Sequence, residues 1–180
     1  MKNLLLFLVF ACTFSFSCLG SPVPFSPIVR NYSVLDYNAG NENWAVAQDE
    51  RGVMYFGNNS GLLRYDGSRW KLFPLPTSGI VRAVYVASDR RIYVGSFEEF
   101  GYFEQNDLNL LEYHSLKEQV KGFDFHNDEI WTIVEQGGNI IFQSFGSYFI
   151  YDGKGTKGVR CPELPLNLFR IGATLYSQLI

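Results

Sequence analysis

The sequence predicts an all-β fold built from a repeated unit of four short antiparallel strands. Three observations carry this. First, a pattern recurs: "WAVAQDERGVMYFGNNSGLLRYDG" (44–67) is echoed by "WTIVEQGGNIIFQSFGSYFIYDG" (131–153). Val53, Met54 and Tyr55 match Ile140, Ile141 and Phe142, and Tyr65–Asp66–Gly67 matches Tyr151–Asp152–Gly153. Second, aromatics make up 17% of the 180 residues, beside 17 glycines. Rings pack well on pleated surfaces and Gly supplies turns. Third, no stretch after the first twenty residues has helical periodicity; 116–120 could form at most a turn.

The elements follow in chain order. Residues 1–20 hold one charge, Lys2, then an apolar run over 4–16, then the small residues Ser17 and Gly20. This is the layout of a secretory signal peptide, with cleavage expected near Gly20. A lipoprotein alternative would acylate Cys18, but Ser15 stands where a lipobox usually has Leu. Export is the expectation either way. Loss of residues 1–20 leaves 14 basic against 18 acidic residues, a net charge of about −4. A mildly acidic chain lacks the basic footprint of non-specific nucleic-acid binding. It also leaves Cys161 as the one cysteine, so no internal disulfide can form.

Residues 21–40 read as a lead-in segment. The first unit then gives strands at 44–49, 53–58, 61–65 and 69–75. The second gives 81–87, 91–97, 100–104 and 110–116, with Tyr93–Val94–Gly95 lying 38 residues after Tyr55–Phe56–Gly57. The third gives 129–135, 139–144, 148–152 and 158–161. A fourth copy starts near Phe169. Asp66–Gly67 and Asp152–Gly153 supply tight-turn chemistry. Four antiparallel strands per roughly 40 residues is the signature of a β-propeller blade. One such sheet has two apolar faces and can bury them only by stacking on neighbours. Trp44, Val46 and Gln48 point one way from the first strand and Ala45, Ala47 and Asp49 the other, placing small residues near the axis and a bulky ring between blades. The blades span about 41–76, 79–116, 120–163 and, incompletely, 168–180. Propellers close with four to eight blades. The expectation is therefore three blades and part of a fourth, belonging to a larger propeller. A four-bladed ring would need 28–37 to complete the last sheet.

The stretches "IVRNYSVLDYNAGNENWAVAQDERGVMYFGNNSGLLRYDGSRWKLFPLP" (28–76), "VRAVYVASDRRIYVGSFEEFGYFE" (81–104) and "IIFQSFGSYFIYDG" (140–153) together resemble the N-terminal periplasmic sensor region of Bacteroidetes two-component-regulator-propeller proteins. These include hybrid two-component systems and three-Y-domain transcriptional regulators. The resemblance implies a ligand-sensing, non-catalytic module, glycan-related, exported to the periplasm. In full-length relatives it is followed by a β-sandwich, a membrane helix and an output domain that can include a histidine kinase. It implies partners of three kinds: an oligosaccharide, the remainder of the propeller or a second subunit, and the membrane only through the signal peptide or a downstream helix. It carries over no catalytic residue, cofactor or ligand contact. The competing readings are an exported propeller enzyme acting on glycans and a scaffold or gene remnant.

The remaining motifs point to no chemistry. Gly153, Gly155 and Gly158 spell GxGxxG, but Pro162 and Pro165 follow where a phosphate-binding helix would have to open. Asp124, His126 and Asp128 share one strand face and suggest a metal only weakly against solvated loop residues. Glu98 and Glu99 are neighbours, so they point apart and read as a surface loop rather than an acid/base pair. Cys161, before a proline, has only His114 and His126 as candidate bases. The sequons at Asn31 and Asn58 carry no weight in a bacterial setting. Loop aromatics are the generic hint of a ligand: Phe97, Phe100 and Phe145 could stack on a sugar, the plainer reading being that such rings fill blade interfaces.

Overall fold

The computed structural model describes residues 27–77 and 79–179. The signal-peptide reading, with Cys12 and Cys18, lies outside them. Residues 32–180 form one unit, and all the named elements belong to it. A single helical turn, α1 (Val34–Tyr37), comes first. Three four-stranded antiparallel sheets follow: β1 (Asn43–Gln48), β2 (Met54–Asn58), β3 (Gly61–Tyr65) and β4 (Trp70–Phe73); β5 (Ala83–Val86), β6 (Ile92–Gly95), β7 (Phe100–Gln105) and β8 (Leu111–Ser115); β9 (Thr132–Gln136), β10 (Asn139–Gln143), β11 (Ser147–Tyr151) and β12 (Thr156–Arg160). A hairpin, β13 (Pro165–Ile171) and β14 (Thr174–Leu179), closes the series. In each sheet the strands pair in chain order, as propeller blades do. A 3₁₀ turn, Lys117–Gln119, falls where at most a turn was expected. Among the described residues no helix is long and apolar enough to cross a membrane.

The blades stack on two ring-rich cores. Tyr55, Leu62, Val81, Val94 and Phe103 fill the space between the first two sheets. Tyr93, Phe100, Phe142, Phe149 and Tyr151 fill that between the second and third. Burial of each such side chain contributes about 2 kcal/mol, which is how the sheets hold together with no disulfide among the described residues. Gly101 shows how close the strands come: a Cβ there would lie 2.1 Å from the His114 carbonyl oxygen.

In the first two blades the turn where the first strand meets the second is held by a repeated Asp–Tyr staple. Asp49 accepts from the Val53 and Arg51 N–H groups and weakly from the Tyr55 hydroxyl. Asp89 accepts from the Arg91 N–H and, at 2.8 Å, from Tyr93. Asp66 and Asp152 cap the third-to-fourth-strand turns of the first and third blades. Asp66 Oδ1 accepts from the Ser68 and Arg69 N–H groups, and Asp152 Oδ1 from Lys154 and Gly155. Each turn then places its glycine, Gly67 or Gly153, at positive φ.

Three features depart from the sequence reading. The lead-in forms α1, whose start is capped by Asp36 accepting from Ser33 N–H and Oγ. Tyr32 and Tyr37 then seat their rings against Trp70 at 5.1 and 5.5 Å. Residues 32–37 therefore dock on the first sheet and add no strand to the β13–β14 hairpin. That hairpin begins at Pro165 rather than beside Phe169, because proline is tolerated as the first residue of a strand. The Trp44 ring does not fill a blade interface; it turns toward the mouth described next.

Candidate functional site

Two sets of segments meet at one end of the sheets. One is the chain entering each innermost strand; the other is the turn joining each second strand to the third. The repeat register brings Trp44, Arg82 and Trp131 to the same place in three consecutive blades. Trp44 sits in the bulge just before Ala45, which pairs with Gly57. Arg82 just precedes Ala83, which pairs with Gly95, and its own N–H donates to the Gly95 carbonyl. Trp131 N–H donates in the same way to the Gln143 carbonyl. The next repeat position out, at the turn tips, holds Asn59, Phe97 and Phe145.

These equivalent residues converge. The Arg82 guanidinium lies 3.7 Å from the centre of the Trp44 ring and 5.2 Å from that of Trp131. The two indoles meet edge to face at 6.5 Å. Phe145 extends the aromatic wall, 5.6 Å from Trp131. Arg82 is 15% exposed and its Nε donates to Glu129 Oε1 at 2.7 Å. A cation held over indole faces away from bulk water contributes about 2 kcal/mol. Trp44, 43% exposed, donates its indole N–H to Asn59 Oδ1, which Glu42 orients in turn from the amide nitrogen side. By contrast Arg82 Nη1 and Trp131 Nε1 are buried with no acceptor among the described residues, and Ser96 Oγ and Gln143 Oε1 are likewise without a partner there.

The mouth rests on buried polar struts. Asn58 is fully buried and clamps residues 40–43 and the following turn. In the third blade the equivalent residue is Ser144, whose Oγ donates to the buried Asp128; Asp128 also accepts from the His126 N–H and Arg160. Burial works to raise its pKa, but those hydrogen bonds and the Arg160 charge outweigh it and hold the carboxyl below its ordinary value. Glu99 is buried too, accepting from the Tyr113 and Ser115 hydroxyls. Burial, then the Glu99 carboxylate, pushes the Tyr113 phenol far up.

The residues singled out from the sequence separate cleanly. Phe97 and Phe145 stand at the mouth, 52% and 50% exposed. Phe100 is a correction: it is 0% exposed, stacked 4.7 Å from Phe149 and 4.8 Å from Phe142, with no face left for a ligand. The second correction is Glu99, a buried strut rather than a surface-loop residue, while Glu98 points away to the Asn127 N–H and toward Lys117. Asp124 and His126 pair with each other and Asp128 is committed elsewhere; among the described residues no group of three His, Cys, Asp or Glu side chains could hold a metal ion. Gly153, Gly155 and Gly158 run from a turn into β12, where Gly158 passes against the Phe123 ring. Cys161 is half-buried, which raises its thiol pKa. Sequence reasoning matched Trp44 with Trp131 but missed Arg82 between them. The signal was there: position 82 is 38 residues after Trp44, the same spacing that relates Tyr93 to Tyr55.

The opposite end carries a cleft of about 590 Å³ between the first two blades, lined by Asp49, Arg51, Asp89, Arg90, Arg91 and Glu104 among others. Arg51 pairs with Asp49, and Arg91 with Glu104 and Asp89. Its charges are largely used in holding turns.

No family model matches the chain, and no curated protein matches it. Solved structures do. Virginiamycin B lyase from Staphylococcus aureus, as a catalytically inactive histidine-to-alanine variant with quinupristin, superposes with a TM-score of 0.59 at 11% identity, over 77% of this chain and 48% of that one. The extracellular domain of a one-component system from B. thetaiotaomicron gives 0.57 at 16% identity, over 76% and 19%. That of a hybrid two-component system from the same organism gives 0.56 at 15%, over 78% and 19%. The chain thus spans under half of each. At these identities the likeness establishes the β-propeller fold.

Proposed function

We propose that this chain is a ligand-sensing, non-catalytic propeller module of an exported signal-transduction regulator, and that the Trp44–Arg82–Trp131 mouth is where it meets its ligand. The observation that carries the reading is the convergence of two indoles and a guanidinium, with unpartnered donors, at one repeat position of three blades. Aromatic faces with few polar groups suit a sugar ring, so the ligand is an oligosaccharide. The fold likeness to extracellular sensor domains supports a place in the periplasm, ahead of a membrane anchor and an output domain. The rest of the propeller or a second subunit would complete the module. A ligand would act by favouring one of two packings of these blades, to the extent of its differential affinity for them.

The likeness to a lyase favours a second reading, an exported propeller enzyme. Against it, Glu98 and Glu99 diverge, His114 lies on the outermost strand stacked on Tyr102, and His126 is bound to Asp124 and Arg160. The test is a glycan-array screen of the chain, each hit then incubated and its products separated. Saturable binding with intact ligand is expected. Turnover of any hit would replace the sensor reading with the enzyme.

A further inference from the structure

We infer that a second copy of this chain closes the propeller: the β13–β14 hairpin of each copy packs on the open face of the other copy's first sheet. This goes beyond the sensor reading and stands whatever the mouth binds.

Each sheet has a leading face, turned toward the sheet before it, and a trailing face. Register assigns the side chains. On the leading faces of the second and third sheets, Val84 pairs with Val94 and Ile133 with Phe142. The preceding sheet covers both pairs, leaving Val94 and Phe142 fully buried. Val46, paired with Phe56, is the same position in the first sheet. Among the described residues no sheet precedes that one, and Val46 is 59% exposed. At the other end, one face of the hairpin meets the third sheet. Leu168 is buried there, Arg170 Nη1 donates to the Glu135 carbonyl, and the Ser177 hydroxyl bonds that of Tyr148. By alternation the trailing face carries Phe169, Ile171 and Tyr176, which are 45%, 62% and 45% exposed.

The two open faces fit each other. Inside the chain, trailing faces pack on leading faces, and one of each is left over at the ends. Copies can therefore join head to tail by the packing they already use. Neither open face carries a charge: the polar residues are Gln48 on one and Asn167, Thr174 and Gln178 on the other. The widths agree as well. Tyr32 and Tyr37 already cover Trp70 on β4, and Leu63 on β3 is fully buried, so the opening lies over the inner strands β1 and β2. A hairpin of two strands matches it. Within one copy the faces stay apart, since both are exposed. Two copies supply six four-stranded sheets and two hairpins, which falls within the four to eight blades at which propellers close.

The test is sedimentation velocity of the chain over about a hundredfold range of concentration. A species of two chain masses is expected. Val46→Lys, and separately Ile171→Asp, should each raise its dissociation constant at least about a hundredfold, because each buries an unpaired charge in both interfaces. Both positions are exposed, so far-UV circular dichroism should stay that of the wild type. An equimolar mixture of the two variants should recover pairs. One interface of a mixed pair joins two unaltered faces, and the other sets the new cation against the new anion. Recovery also shows that both variants are folded. A chain that stays monomeric overturns the inference. So does a pair left intact by either substitution, which would be joined face to like face or elsewhere. Masses growing beyond two copies, or no recovery on mixing, overturn it equally.

Discussion

Asn58→Ala tests how the mouth is held. The side chain is fully buried. Its Oδ1 accepts from the Gly40 and Ser60 N–H groups, both at 2.9 Å. Its Nδ2 donates to the Gly40 carbonyl at 2.8 Å, the Glu42 carbonyl at 3.1 Å and Asn43 Oδ1 at 2.8 Å. Alanine breaks all of these. The Glu42 carbonyl keeps the Asn59 N–H at 3.2 Å, and Gly40 and Ser60 are half-exposed, so water recovers part of the loss. With about 1 kcal/mol for each broken bond and partial recovery, the expected destabilisation is about 3 kcal/mol. In urea, at a slope of about 2 kcal/mol/M, the midpoint falls by about 1.5 M with the slope unchanged. Asn58→Asp sharpens the test. It preserves the shape and both accepted bonds but turns three donated bonds into oxygen–oxygen contacts around a buried charge. At pH 7 it should cost at least as much as alanine, and less at acid pH, where a protonated carboxyl regains a donor. A midpoint shift under about 0.3 M for alanine, or an aspartate variant as stable as wild type, would refute the strut argument.

Phe100→Ala, emptying a fully buried ring site, should lower stability by about 4 kcal/mol by urea unfolding, whereas Phe97→Ala at the exposed mouth costs under about 0.5 kcal/mol; equal effects would contradict the burial assignment. Gly101→Ala should largely abolish folding as judged by circular dichroism, because its Cβ would meet the His114 carbonyl oxygen on the neighbouring strand. The Arg69 N–H first, then Ser68, holds the Asp66 carboxyl down at about 2, from 3.8. The folded pKa lies below the unfolded one, so this stabilisation is present above the ordinary value and is lost as pH falls from about 4 to 2. Asp66→Asn, which retains the side-chain oxygen, should flatten the acid limb of Tm against pH over that window. Tyr93 and Tyr113 have phenols pushed up by burial and then by Asp89 and Glu99 respectively. In an absorbance titration they should ionise last among the 11 tyrosines and only with unfolding.

The propeller was legible because its determinants are local and repeat. Alternation marks a strand, and Tyr–Asp–Gly marks a turn whose hydrogen bonds run two or three residues along the chain: Asp66 to Ser68 and Arg69, Asp152 to Lys154 and Gly155. Such bonds form wherever the segment goes, so they could be read without knowing its neighbours. α1 was also local, through Ser33 and Asp36, but it is a single turn, too short for periodicity to reveal.

Exposure of the aromatics was not legible. Phe97 and Phe100 lie three residues apart, one in a turn and the other opening β7, yet one reaches solvent and the other sits between Phe142 and Phe149 of the next blade. Whether a ring is free for a ligand depends on what the adjacent sheet presents, and that partner is more than forty residues away. The same holds for the mouth. By itself the sequence determined that Trp44 and Trp131 open matching repeats and that position 82 falls one 38-residue period after Trp44; the strand register then puts all three at one repeat position. Only the tertiary structure decided that they touch: stacking turns equal positions on successive sheets toward one another, and two indoles separated by 87 residues close on a single guanidinium.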